Sequence, residues 1–307
     1  YGYFSITHWQ QLADASPQLS VALIQVDPSF KDSLLNLQDT TNQVSEYVDL
    51  VCWPESSGGT YDMRLDSLED EDQVFRLSRL PERGLRPWPQ PSCDLLLGGK
   101  NYVGSDEKPD KLYVAAMLID NQERIAGRYH KQFLMPFGES VPAEKTLPFL
   151  GRLFDMTDVI TPGDDVSVLQ GGSAAKIGAM LCYEDMVPEV ARAACSQGSN
   201  VIVSLINGSA FDSPYTLWQH RMLAQLRALE TRRYFLRCAA TGETCIISPI
   251  GEIQSRLPLH QDGVLLGNVQ LIDQKSLYVR FPYLMHGLLV MSLGGFFVSR
   301  AHRKKSI

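Results

Sequence analysis

Gly178-Ala-Met-Leu-Cys182-Tyr-Glu-Asp-Met-Val-Pro188-Glu189 is the stretch on which the fold turns. The mostly apolar run from Ile177 to Leu181 has the length and composition of a buried strand. It stops at a single cysteine. Pro188 then suits a first helical turn, where proline's missing N–H is not needed. Val190, Ala191, Ala193 and Ala194 continue at helical density. A cysteine at a strand-to-helix corner sits near unpaired backbone N–H groups and the positive end of a helix dipole. Both favour a thiolate. The competing reading is a packed cysteine acting as a small hydrophobe, the commoner fate of a lone cysteine.

Working outward, the same alternation recurs. Ser20 to Val26 reads as a buried strand, and residues 30–47 follow with helical spacing. Tyr47 to Trp53 reads as a second strand, running into Pro54-Glu55-Ser56-Ser57-Gly58-Gly59. Residues 68–80 read as a helix, 81–92 as a Pro/Arg-rich loop, and Asp94 to Gly99 as a third strand. Lys111 to Asp120 and Glu123 to Tyr129 form a predicted hairpin across Asn121-Gln122. Residues 130–172 are irregular and carry Pro136, Pro142, Pro148 and Pro162; so long a loop in a compact domain lines or covers a site. Beyond Cys182 come a strand from Asn200 to Ile206, an amphipathic helix from Tyr215 to Arg233 and a strand from Tyr234 to Ala240. A hairpin (Cys245 to Ser248, Glu252 to Leu257) and a closing segment from Gly263 to Leu271 complete the body. This order predicts an α/β domain over residues 18–273. Residues 1–17 show no clear period and read as a lead-in from a missing or removed N-terminal region.

Bulk composition narrows the class. The 307 residues are 44% hydrophobic and 21% charged, as expected of one large globular domain with appendages. A net charge of -7 and the lack of a basic patch with interleaved aromatics argue against a nucleic-acid partner. The six cysteines form no CxxC pair, and no His/Cys group has zinc spacing.

Residues 281–299 contain no Asp, Glu, Lys or Arg, and Arg300, His302, Arg303, Lys304 and Lys305 follow at once. That length matches a membrane-crossing helix, and the basic tail at 300–307 places its end in the cytoplasm by the positive-inside rule. The body would then lie on the opposite side. A buried C-terminal helix is the alternative reading, with His286, Gly294 and Gly295 weakening the span.

Three polar residues stand where a strand gives way to a loop: Glu55, Lys131 and Cys182. In an α/β domain the same ends of neighbouring strands converge on one crevice. Together the three types make a coherent acyl-transfer set. A cysteine attacks a carbonyl, a glutamate takes its proton, and a lysine steadies the oxyanion. No histidine is an evident base. His130 adjoins Lys131, but neighbours on a strand point to opposite sides. Taken singly, Glu55 or Lys131 also reads as a solvated loop charge.

Trp53-Pro-Glu55, Tyr129-His-Lys131-Gln-Phe-Leu-Met-Pro-Phe-Gly-Glu139-Ser-Val-Pro142 and Leu181-Cys182-Tyr183-Glu184 resemble the signatures of the carbon–nitrogen hydrolase (nitrilase) superfamily. More narrowly, they resemble its membrane branch, the apolipoprotein N-acyltransferases. Asn207, Gln219-His220 and Arg227-Ala-Leu-Glu230 fit the same pattern, and the likeness covers about residues 20–285. The resemblance implies a four-layer αββα sandwich followed by a C-terminal transmembrane helix. It implies Glu55 as base, Lys131 as oxyanion stabiliser and Cys182 as nucleophile, with Glu139, Tyr183 and Glu184 as supporting active-site residues. It also implies transfer of an acyl chain from a phospholipid, through a cysteine thioester, to the N-terminal amine of a lipoprotein. Neither metal nor organic cofactor is implied. The expected location is the bacterial inner membrane, with the catalytic domain on the periplasmic side.

The chain departs from the family pattern in two segments expected to touch substrate. One is Gln25-Val-Asp27 with Lys31-Asp32; the other is Asn207-Gly-Ser-Ala-Phe211-Asp212. The polytopic membrane region expected before the domain is also not in this chain. Two rival readings remain: an amidase or nitrilase-type hydrolase with the same Glu-Lys-Cys site, and a non-enzymatic, membrane-tethered scaffold.

Overall fold

In a computed structural model of the chain, the described residues are 2–26, 33–55, 62–65, 92–104, 109–122, 124–141, 146, 160–211, 213–284 and 287–295. The chain begins with helix α1 (Gly2–Asp14), strand β1 (Gln18–Gln25), helix α2 (Ser33–Val44) and strand β2 (Leu50–Cys52). Four strands follow: β3 (Asp62–Leu65), β4 (Asp94–Gly104), β5 (Pro109–Ile119) and β6 (Ile125–His130). After the long loop come β7 (Val168–Gln170), β8 (Lys176–Leu181), a 3-10 turn over Cys182–Met186, and α3 (Pro188–Ser196). Strand β9 (Val201–Ile206) leads to α4 (Pro214–Thr231), then β10 (Phe235–Ala239), β11 (Cys245–Ile247), β12 (Ile253–Arg256) and β13 (Gly263–Gln270).

Among the described residues these strands make two sheets. One runs β13-β1-β2-β4-β5-β6, with β3 also paired to β4; the other runs β12-β11-β10-β9-β8-β7. The middle of each sheet is parallel (β1 with β2, β2 with β4; β8 with β9, β9 with β10), and antiparallel strands flank it.

The alternation of side chains along each strand explains the layering. In β1, Val21 and Leu23 join Ile177, Ala179, Val203 and Leu236 of the second sheet in one large core. The intervening Ala22 and Ile24 face the other way and pack with Val51, Leu95, Leu97 and Leu37 of α2. Across the second sheet, Val190 and Ala191 of α3 and Ala224 and Ala228 of α4 close the far face. The order of layers is therefore helix, sheet, sheet, helices. Both sheets are covered on both faces, which is why β2, β8 and β9 read as mostly apolar runs without alternation.

Several expectations change. Residues 1–17 show no period in the sequence, yet Gly2–Asp14 is helical, with Trp9 and Ala13 buried in the large core and Arg232 over the Trp9 ring. Two inward positions are too few to give a sequence period, so the helix was hidden. The strand expected over Tyr47–Trp53 is only Leu50–Cys52, because those residues alone register with β1 and β4. Strand β7 interrupts the loop expected over 130–172 by pairing with β8. The helix expected at 68–80 and nearly all of the loop at 81–92 lie outside the described residues.

So do residues 285, 286 and 296–307 of the C-terminal segment. Residues 287–295 are helical, and Leu288, Leu289, Val290, Met291 and Leu293 are exposed. No helix among the described residues is long and apolar enough to cross a membrane.

Candidate active site

Glu55, Lys131 and Cys182 meet in one buried site. The sequence suggested the same ends of neighbouring strands. Instead Glu55 (after β2) and Lys131 (after β6) come from the first sheet, separated there by β4 and β5, and Cys182 (after β8) comes from the second. Face-to-face packing of the sheets, rather than strand adjacency, brings them together.

Each position is fixed locally. Trp53, fully buried, donates its indole N–H to Thr41 Oγ1 at 2.8 Å, and its backbone N–H bonds Leu96 O at 2.9 Å. Two residues on, Glu55 passes so close to β4 that a Cβ on Gly98 would stand 2.7 Å from Glu55 Cα. Glycine is required there for the approach of two backbones. Lys131 is held at both ends, its N–H on Val114 O and its C=O accepting from Gly163 N–H, each at 2.8 Å.

The Lys131 ammonium lies 2.6 Å from Glu139 Oε1 and 3.4 Å from Glu55 Oε1. Glu139 Oε2 accepts the Met135 N–H at 2.7 Å, so the carboxylate both ties its own loop and faces the lysine. Burial alone would lower the Lys131 pKa. The facing Glu55, Cys182 and Glu139 outweigh it and hold the ammonium above its ordinary range. Burial raises the Glu55 carboxyl, Lys131 opposes that rise, and Glu139 adds to it. The Cys182 thiol, within hydrogen-bonding reach of Glu55, is pushed well up by burial and by Glu55, against the pull of Lys131. The resting site is thus a thiol beside a carboxyl and a permanent cation. Its proton has an acceptor at hand, and negative charge formed there has a counter-ion.

Cys182 has φ 45°, in the left-handed region that side chains rarely adopt. The residues after it hold this conformation. Glu184 Oε2 accepts the Leu181 N–H at 2.9 Å, while its Oε1 accepts from Tyr129 Oη at 2.7 Å, Gln132 N at 2.7 Å and Phe133 N at 3.1 Å. Asp185, fully buried, contacts His220 and Arg237. The Met186 carbonyl accepts from Arg227 Nη1 at 3.1 Å, and Arg227 is itself paired to Glu230. Tyr183 is half-buried beside the nucleophile position.

Asp185, His220 and Arg237 cluster behind the cysteine. Sequence reasoning singled out neither Asp185 nor Arg237, and quoted His220 only as fitting the family pattern. His130 points elsewhere, as strand alternation requires: it stacks on Tyr113 at 4.1 Å and meets Asn101 at 2.9 Å. Gln25, on a segment expected to meet substrate, spends its amide on Pro258 O, Gln261 O and the Thr244 N–H instead. Residues 27–32 and 212 lie outside the described residues. The Asn207 carbonyl lies 3.7 Å from Cys182 Sγ.

The carbon–nitrogen hydrolase family profile matches residues 20–277. An apolipoprotein N-acyltransferase of Geobacter metallireducens is 31% identical over 261 residues, which is 84% of this chain and 47% of that protein. One of Azotobacter vinelandii is 31% identical over 294 residues, 92% of this chain and 54% of that protein. The chain spans about half the length of these curated relatives. Among solved structures, a carbon–nitrogen hydrolase from Helicobacter pylori G27 superposes with TM-score 0.60 at 13% identity, covering 88% of this chain and 95% of that one. An amidase from Nesterenkonia sp. gives TM-score 0.58 at 21% identity, covering 86% and 92%. At such identities the likeness is one of fold: a nitrilase-like α/β architecture of two sheets.

Proposed function

Because this chain belongs to the carbon–nitrogen hydrolase family, we propose that it is the catalytic part of an N-acyltransferase that moves a phospholipid acyl chain to the N-terminal amine of a lipoprotein. The observation that carries this reading is the buried Lys131 ammonium, shared between Glu55 and Glu139 beside the Cys182 thiol. The choice of transferase over hydrolase is supported by the relatives named as apolipoprotein N-acyltransferases.

In the first half-reaction Glu55 takes the Cys182 proton as Sγ attacks the ester carbonyl. Lys131 offsets the charge on the tetrahedral oxyanion. The C–O bond breaks, the leaving alcohol takes the proton from Glu55, and the acyl group remains on sulfur as a thioester. In the second, the acceptor amine attacks that thioester, Glu55 takes the amine proton, and the cysteine leaves as a thiolate that the proton restores. Glu139 holds Lys131 in place, and Glu184 and Tyr183 support the turn that carries Cys182.

The apolar segment 281–299 is a transmembrane helix in this reading. Support comes from its freedom from charged residues, the basic residues after it, and the exposed apolar side chains of 287–295. The domain then lies on the periplasmic side of a bacterial inner membrane, facing lipid donor and lipoprotein acceptor.

Incubation with phospholipid vesicles and intact-mass analysis tests the proposal. The expected result is a mass increase of one acyl group, located on Cys182 and discharged by an N-terminal cysteine lipopeptide. Rapid turnover of a small amide with no lipid adduct would replace the transferase with an amidase.

A further inference from the structure

Two peptide groups around Cys182 are held by buried side chains. Glu184 holds the N–H of Leu181, in the peptide between Met180 and Leu181, at 2.9 Å. His220 Nε2 stands 3.2 Å from the Cys182 carbonyl after it. His220 is buried on α4, and its ring has a partner at each nitrogen. Nε2 also meets Asp185 Oδ1, and Nδ1 lies 3.3 Å from Arg237 Nη2.

A guanidinium nitrogen can only donate. Nδ1 must therefore accept, and the ring proton sits on Nε2, which bonds Cys182 O and has the Asp185 carboxylate beside it. Arg237 is locked in turn: Nη1 donates to Glu243 O at 2.7 Å and Nε reaches Asp185 Oδ2 at 3.4 Å. All three side chains are nearly or fully buried, so the tautomer is imposed by fixed neighbours rather than chosen by solvent.

We propose that Asp185, His220 and Arg237 form a positioning relay that fixes the peptide between Cys182 and Tyr183. That peptide is trans, so holding its C=O on His220 turns the Tyr183 N–H to the opposite side. The N–H opens a 3-10 turn and is among those that lack a partner within the turn. The relay therefore sets, in one rigid unit, the strained φ of the nucleophile and the direction of the donor that follows it. Its contribution falls on steps that build an oxyanion beside Cys182 and not on the thiol's reactivity as such. The inference rests on the reading of Cys182 as the acyl-accepting nucleophile.

The experiment compares wild type, His220→Phe and His220→Gln in the full chain. His220→Phe keeps the ring volume and removes the donor. In His220→Gln the amide nitrogen can take the place of Nε2. Two reactions of Cys182 are measured: acylation by p-nitrophenyl butyrate, which passes through an oxyanion, and alkylation by iodoacetamide, which does not. The expected result is about a 100-fold loss of kcat for acylation in His220→Phe, as for loss of one oxyanion donor. KM and the alkylation rate should stay within about threefold, and His220→Gln should recover part of the loss. Equal acylation in wild type and His220→Phe would overturn the relay. So would parallel loss of both reactions in both variants, which marks a structural role. A wild type that gives an ester burst but no phospholipid adduct would count against the transferase, while the ratio of variant to wild type would still decide the relay.

Discussion

The phenol of Tyr129, next to last in strand β6 of one sheet, donates at 2.7 Å to Glu184, two residues past Cys182 in the turn that follows β8 of the other. This bond crosses the interface between the sheets at the level of the site. With the Gln132 and Phe133 N–H groups on the same oxygen, it sets the Cys182 turn against the segment that begins at Lys131. Distance between nucleophile and cation is thereby a property of one buried carboxylate.

Replacing that carboxylate should loosen the site without emptying it. In Glu184→Gln the amide NH2 must face a backbone N–H at one end, a donor against a donor. A loss of about 2–3 kcal/mol is expected, from the cost of leaving a buried donor unpaired. Tyr129→Phe, which removes one bond, should cost about 1 kcal/mol. Urea unfolding midpoints of the two variants check the order, and equal midpoints would contradict it.

Gly98 makes a second geometric prediction. In Gly98→Ala the new methyl meets Glu55 Cα at 2.7 Å and Pro54 O at 3.2 Å, both backbone atoms that cannot swing aside. Stability should fall by about 1–3 kcal/mol, the usual cost of overpacking. The rate of Cys182 acylation should fall further than stability does, because the displaced residue is the proposed base. Parallel measurement of Tm and ester burst separates the two effects.

The acid limb of the reaction should report Glu55. Burial lifts its pKa, Lys131 opposes the rise, and Glu139 adds to it. A base works only when deprotonated, so the limb lies above the ordinary carboxylate range. In Glu139→Gln one raising influence is gone and Lys131 is freed toward Glu55. The limb should move to lower pH. A pH profile of the acylation rate, in wild type and variant, gives the sign, and movement to higher pH would be incompatible with this assignment.

His130 predicts acid sensitivity away from the site. Burial, with help from Arg128 and against Asp164, lowers its pKa from 6.5 to about 4. Between those values the unfolded chain takes up the proton and the folded chain does not. Stability therefore rises with pH through this window and is lost as pH falls from 6.5 toward 4. His130→Phe, which can keep the stack on Tyr113, should flatten that decline, read as Tm at pH 7 and pH 4.5.

The regular elements were legible because their signals are local. Strands β8 and β9 are mostly apolar runs, α3 has its proline start, and the Asn121-Gln122 turn joins β5 to β6 as read. Helix α1 was not legible, since its burial rests on Trp9 and Ala13 meeting a core built by the rest of the chain. The types Glu55, Lys131 and Cys182 stood out because each ends a strand. Asp185 did not, being one of two adjacent acids in the same turn.

The sequence by itself determined the alternation of strands and helices, the family, and the three chemical groups placed at strand ends. These follow from periodicity and from motifs a few residues long. Tertiary structure alone decided that Glu55 and Lys131 face Cys182 across two sheets, that the adjacent Glu184 and Asp185 reach separate sets of partners, and that Cys182 itself sits at φ 45°. Those outcomes depend on contacts between residues far apart in the chain, 55 for Tyr129 with Glu184 and 52 for Arg237 with Asp185. Local periodicity carries no record of such contacts; strand order within the second sheet and face-to-face packing of the two sheets create them.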